Sequence, residues 1–183
     1  VKMQEEFIGE LENRSKEDIE EKKQKITTLF TESDEYVSVN EQLENNVFDL
    51  TKQQEAVTGA TEKLRELGNL KGKISNKVST ITKEHKFFTK NTVCPTCTQA
   101  INEDFRLNKI DDAQTKAKEL QSGYKELEEA IKNEEEREHQ FTTLSKEITQ
   151  LTHGISKNNT KIAGCQRQIR DLESEIQTIT EQL

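Results

Sequence analysis

A repeat of apolar residues at alternating spacings of three and four constrains this chain more than any other feature of its sequence. Between residues 19 and 64 the repeat covers fourteen positions, and nine of them are apolar. The fourteen are Ile19, Lys22, Ile26, Leu29, Ser33, Tyr36, Asn40, Leu43, Val47, Leu50, Gln54, Val57, Thr61 and Leu64. This spacing keeps one stripe of an α-helix facing a partner helix, which is the pattern of a coiled coil. The pattern continues from residue 67 to 88, and it returns between residues 105 and 183.

Composition excludes a globular core of ordinary size. Only 30% of the 183 residues are hydrophobic, 34% are charged, and there is no tryptophan. An average domain holds about 45–50% apolar residues. Disordered chains share this composition, but disorder gives no reason for a helical repeat. The sequence therefore predicts an all-α protein built as an extended coiled coil.

The repeat is interrupted once near the middle, at Cys94-Pro95-Thr96-Cys97, which contains the single proline. Downstream, Asn102 followed by two acidic residues is a typical helix start, because its side chain can cap free backbone N–H groups. We therefore predict an ascending helix over residues 1–90, a knuckle over residues 91–101 and a descending helix over residues 102–183. Together these segments would form a long antiparallel intramolecular coiled-coil hairpin with the CxxC at its tip.

Charge favours this antiparallel pairing. Residues 61–90 carry a net charge of +5, from eight basic and three acidic residues, and residues 101–130 carry −3, from five basic and eight acidic residues. Folding about the centre of the CxxC predicts that residue i faces roughly residue 191 − i. The repeat also skips between positions 64 and 67, beside Gly68 and Gly72, and glycine weakens helices. We expect the weakest point of the ascending helix there.

The CxxC provides half of the ligand set of a structural zinc site. Zinc in such sites takes four ligands, and two cysteines three positions apart supply two. No second CxxC is present, His85 occupies a position of the repeat, and His139 and His153 lie more than 40 residues after Cys97. A second copy of the chain would complete the set. We therefore predict that Cys94 and Cys97 of two chains share one zinc ion and join the chains as a homodimer through their tips.

Two other interpretations of the CxxC remain open. A redox pair of the thioredoxin type needs a βαβ setting, and no strand pattern accompanies this CxxC. The motif could also be incidental in a plain structural coiled-coil scaffold. Among neighbouring residues, Phe88 and Phe105 are expected in the coiled-coil core, with Val93 and Ile101 packed beside the knuckle. Cys165 has apolar neighbours at the spacing of the repeat, which predicts a small buried hydrophobic residue.

A coiled coil interrupted by Cys-Pro-x-Cys resembles the zinc-hook region of the Rad-fifty/SbcC family, the SMC-like ATPase subunits of the DNA double-strand-break repair nuclease. The residues that carry the resemblance are Val93-Cys94-Pro95-Thr96-Cys97 and Asn102-Glu103-Asp104. Many members have glycine after the second cysteine, where this chain has Thr98. The Lys-, Asn- and Thr-rich composition is similar to that of the T-even phage branch, whose members serve recombination.

The resemblance implies a zinc-mediated tether between two DNA-bound heads, with the nuclease subunit and DNA as partners of those heads. The chain itself is predicted to be non-catalytic, because it has no phosphate-binding Gly-x-x-x-x-Gly-Lys motif and no arrangement of catalytic side chains. A net charge of −8 predicts little direct nucleic-acid binding. The absence of a long apolar run and of a signal peptide, with only three cysteines, predicts a cytoplasmic protein, in the host cytoplasm if it is from a phage. The sequence begins at Val1 and stops within the repeat at Leu183, which predicts a piece of a longer coil.

Overall fold

The computed structural model describes residues 1–183 and consists almost entirely of three α-helices. Helix α1 spans Lys2–Ala56, α2 spans Ala60–Lys90, and α3 spans Glu103–Gln182. Outside the helices, β-type pairing is limited to one isolated antiparallel bridge between Val93 and Ala100. The all-α prediction is therefore confirmed. None of the three helices contains an apolar stretch that would cross a membrane.

The chain divides into two compact units, and the first comprises residues 1–53 and 144–183. Within it, α1 and the C-terminal half of α3 run antiparallel. The Asn40 side chain donates to Asn159 Oδ1 at 3.0 Å and accepts from Asn158 Nδ2 at 2.9 Å. Further along, Lys22 Nζ lies 2.9 Å from a carboxylate oxygen of Glu175.

The second unit comprises residues 54–143 and pairs α2 with the N-terminal half of α3, again antiparallel. Lys63 Nζ lies 3.1 Å from Glu134 Oε1, and Lys71 Nζ lies 5.5 Å from the centre of the Tyr124 ring. Close to the end of α2, the Phe88 carbonyl oxygen accepts a hydrogen bond from Arg106 Nη1 of α3 at 3.0 Å.

The core in both units is a thin seam, because two helices cover only one stripe of each other. No side chain is completely buried. The buried hydrophobic residues are Ala60, Ala113, Leu127, Cys165 and Ile169. The burial of Cys165 confirms its predicted role as a small hydrophobic residue. Three polar residues of the repeat are buried as well, namely Ser33, Asn40 and Glu134.

Residues Val57–Gly59 interrupt the ascending segment between α1 and α2. Gly59 has a φ of +81°, a conformation that glycine adopts without steric cost. The Arg137 side chain of α3 donates to the carbonyl oxygens of Ala56 and Thr58 at 3.4 and 3.3 Å. Ala56 is the last residue of α1, so its carbonyl has no partner within the helix, and the arginine supplies a donor to it.

A buried carboxylate lies beside this interruption. Glu134 accepts hydrogen bonds from Arg137 Nη1 at 2.9 and 3.0 Å, and Lys63 is its second cation. Burial acts to raise the pKa of Glu134, but the hydrogen bonds from Lys63 and Arg137 lower it by more. The net result is a pKa below the ordinary glutamate value, so the carboxylate stays ionised in its pair.

The interruption of the ascending segment does not coincide with the two glycines at which a weak helix is expected. Gly68 and Gly72 both remain inside α2, whereas the helix is broken at Val57–Gly59. Each glycine inside a helix costs about 1 kcal/mol relative to alanine, which the packing of α2 against α3 can offset. Gly59, in contrast, has left-handed backbone and lies outside both helices, directly before α2 as its N-cap.

The predicted pairing register was wrong. It placed Asn40 opposite residue 151, but Asn40 contacts Asn158 and Asn159. The two arms are not equivalent about the CxxC, because α2 ends at Lys90 and α3 begins only at Glu103.

Candidate functional site

The connection between α2 and α3, residues 91–102, presents the CxxC. At its start, Asn91 leaves the helix with extended backbone, and both its backbone N–H and its side-chain amide donate to the Phe87 carbonyl oxygen, at 3.0 and 2.9 Å. At its end, Asn102 Oδ1 accepts from the Phe105 N–H at 3.1 Å. The predicted N-cap is therefore confirmed, and both ends of the connection are fixed by capping.

Within the connection, the backbone folds back on itself. The Cys94 N–H donates to the Gln99 carbonyl, the Thr98 N–H donates to the Cys94 carbonyl, and the Ile101 N–H donates to the Thr92 carbonyl, each at 2.9 Å. These bonds close a tight turn over residues 94–98 on a short pair of extended segments. They bring both cysteines of the CxxC onto one turn.

Thr98 holds the most constrained backbone position of this turn. Its φ of +59° is the only positive φ of a non-glycine residue in the chain. A β-branched residue seldom adopts this conformation, and glycine adopts it freely. The backbone at position 98 is thus one that suits glycine better than threonine.

Both cysteines are free thiols, with Cys94 half-buried and Cys97 exposed. Hydrogen bonds from the backbone of Cys97 and then of Thr96, with a smaller one from the Cys97 side chain, lower the pKa of the Cys94 thiol, against a smaller raising effect of burial. A thiol whose pKa is lowered by backbone donors is prepared to act as a thiolate, the form that binds metals.

No group of three or more His, Cys, Asp or Glu side chains is placed to hold a metal ion anywhere in the chain. His85 is half-buried within α2, and His139 and His153 lie on α3 in parts of the chain remote from the turn. The two cysteines are therefore a pair of sulfur donors without a third protein ligand in the same chain.

Aromatic side chains flank the connection, and their burial differs from the prediction. Phe88 is half-buried, but Phe105 is 52% exposed, so its assignment to the core was wrong. The two rings meet edge to face at 5.9 Å between centroids. Val93 is 47% exposed and pairs with Ala100 through the backbone, while Ile101 is half-buried.

Sequence reasoning missed one residue of this region. Arg106 lies in the first turns of α3 with only 14% of its side chain exposed, and it forms an ion pair with Glu103 at 2.7 Å. Its Nη1 also donates to the Phe88 carbonyl at 3.0 Å. The spacing of three between Glu103 and Arg106 indicates an ion pair on one helix, but the bond to α2 depends on how the connection folds.

Comparison with protein-family models and with curated proteins gives no match for this chain.

Proposed function

We propose that the turn carrying Cys94 and Cys97 is one half of a zinc site, completed by the same two cysteines of a second copy of the chain. The observation that carries the proposal is the donor set. Two free thiols share one turn, and no third ligand accompanies them. Structural zinc takes four ligands, so a chain with two can hold the ion firmly only together with another donor pair.

The chemistry of the turn fits a thiolate ligand. Backbone donors stabilise the charged form of Cys94, and the exposure of Cys97 leaves room for an ion and for a second turn. Both ends of the connection are capped, which limits the freedom of the turn. Bound zinc would act there as a structural cross-link between chains, with no catalytic step.

On this proposal the chain is a dimerisation and tethering module in the form of an antiparallel coiled-coil hairpin with a zinc hook at its tip. The antiparallel contacts within each unit support the hairpin. The resemblance of the Cys-Pro-x-Cys segment supports a place in the ATPase subunit of a DNA double-strand-break repair and recombination nuclease. In such a subunit, the heads that bind DNA and the nuclease would lie outside this sequence, in the cytoplasm, and the hook would bridge two of them.

Sedimentation of the purified chain under reducing conditions, with and without a chelator, tests the proposal. We expect a dimer that the chelator converts to a monomer. Cys94→Ser combined with Cys97→Ser should give a helical monomer in either condition, and Cys165→Ala serves as the matched cysteine control that keeps the dimer. A dimer insensitive to chelator would favour the plain scaffold, and a Cys94–Cys97 disulfide without metal would favour a redox pair.

A further inference from the structure

The two ends of the connection that carries the cysteines are joined by one half-buried cation, Arg106. Its guanidinium makes three hydrogen bonds in two directions. Nη1 donates to the Phe88 carbonyl of α2 at 3.0 Å, while Nε and Nη2 donate to the two carboxylate oxygens of Glu103 at 3.2 and 2.7 Å. Only 14% of the arginine side chain is exposed.

The partners of Arg106 are the two ends of the connection. Phe88 lies in the last turn of α2, where carbonyl oxygens lack a helical partner, and Glu103 is the first residue of α3. The arginine therefore fixes the distance between the point where the chain leaves α2 and the point where it enters α3. The twelve residues 91–102 must close their turn over that fixed distance.

We propose that Arg106 is a positioning residue for metal binding: by joining the end of α2 to the start of α3, it holds the Cys94–Cys97 turn in the geometry in which two chains can share one ion. This inference rests on the proposed zinc half-site. Arg106 itself is not a ligand, since a guanidinium has donors and no acceptor.

The planar fork of arginine is essential to this role. Two parallel bonds to a carboxylate and a third bond to a carbonyl need donors that diverge from a rigid plane, and the single ammonium of lysine does not provide them. Arg106→Lys keeps the charge but loses the fork, and Arg106→Gln loses both. The chain offers a matched control in Arg65, which also pairs with a glutamate three residues earlier, Glu62, but is 74% exposed.

The test compares zinc affinity and backbone protection in the full chain. Zinc affinity is measured by competition with a chromogenic chelator. Cobalt absorption identifies the thiolate ligand set, and amide hydrogen exchange follows the Cys94 and Ile101 N–H groups, which donate within the connection. Substituting groups that orient metal ligands commonly costs about 10–100-fold in affinity. We expect a loss of about tenfold or more in Arg106→Gln, a smaller loss in Arg106→Lys, and no loss in Arg65→Gln.

Exchange of the two amides should accelerate in both Arg106 variants without metal, while the cobalt spectrum at saturation and the helical circular dichroism stay as in the wild type. A wild-type chain that binds no zinc overturns the half-site and this inference together. A zinc-binding wild type matched in affinity by Arg106→Gln overturns the positioning role alone. Equal affinity of Arg106→Lys and wild type, or unchanged amide exchange in Arg106→Gln, also overturns it.

Discussion

The buried asparagine contact of the first unit gives a prediction whose size follows from the structure. Asn40 is 6% exposed and makes two side-chain hydrogen bonds across the helix pair, with Asn158 and Asn159. Asn40→Ala removes both bonds and leaves the half-buried Asn158 amide without this acceptor. We therefore expect the variant to unfold more easily than the wild type.

The expected loss combines three contributions. Each neutral hydrogen bond contributes about 1 kcal/mol, and the abandoned Asn158 amide adds about 1 kcal/mol more. Alanine recovers about 0.6 kcal/mol because it is the better helix former. The net destabilisation is about 2 kcal/mol, measured as the free energy of unfolding from urea titrations followed by circular dichroism.

Asn46 provides the matched control, because it lies on the same helix and is exposed. Asn46→Ala should change only helix propensity and stabilise the chain by about 0.6 kcal/mol. Asn40→Leu should be less destabilised than Asn40→Ala, since its apolar side chain is buried in the seam. Equal stability of Asn40→Ala and Asn46→Ala would refute the view that the asparagine contact stabilises this helix pair.

Three further predictions concern the turn and the buried ion pair. At the left-handed position, Thr98→Gly should be more stable than Thr98→Ala by about 1 kcal/mol, because both variants lose the hydroxyl and only glycine fits the backbone without strain. Hydrogen exchange of the amides in the turn measures this difference. Equal protection of those amides in the two variants would contradict it. Glu134 has a lowered pKa, so its stabilising effect is present above the ordinary glutamate pKa and is lost as pH falls through the lowered value. Urea titrations should accordingly show Glu134→Gln less stable than the wild type at neutral pH and equal to it in acid, whereas the exposed control Glu135→Gln should differ little at any pH. Because metal ligation needs thiolates, the zinc-linked dimer should dissociate on acidification, and the lowered pKa of Cys94 shifts that dissociation to lower pH. Sedimentation at a series of pH values checks this. A dimer that acid does not dissociate would argue against zinc.

The sequence predicts the local structure around the connection well, because local rules decide it. The end of α2 at Lys90 and the start of α3 after the Asn102 cap follow from helix-terminus chemistry. The polar positions Ser33 and Asn40 belong to the repeat of the sequence, and both are buried. Spacing alone places a residue on the buried stripe of a helix.

The partners across the helix pair could not be predicted in the same way. They depend on register, and register depends on the unequal lengths of chain between the CxxC and the two helices that flank it. The contact of Arg106 with the Phe88 carbonyl has the same origin, because it joins groups on two helices. In the candidate site, the sequence identifies Cys94 and Cys97, and the structure adds the hydrogen bonds that shape their turn.

If Cys94 and Cys97 form half of a zinc site, two chains must share one ion. Native mass spectrometry of the full chain, purified under reducing conditions in the presence of zinc, counts chains and metal ions in one measurement. We expect a species of two chains with one zinc ion, which Cys94→Ser converts to a metal-free single chain. A single wild-type chain that holds its own zinc ion, or a dimer that contains no metal, would contradict it.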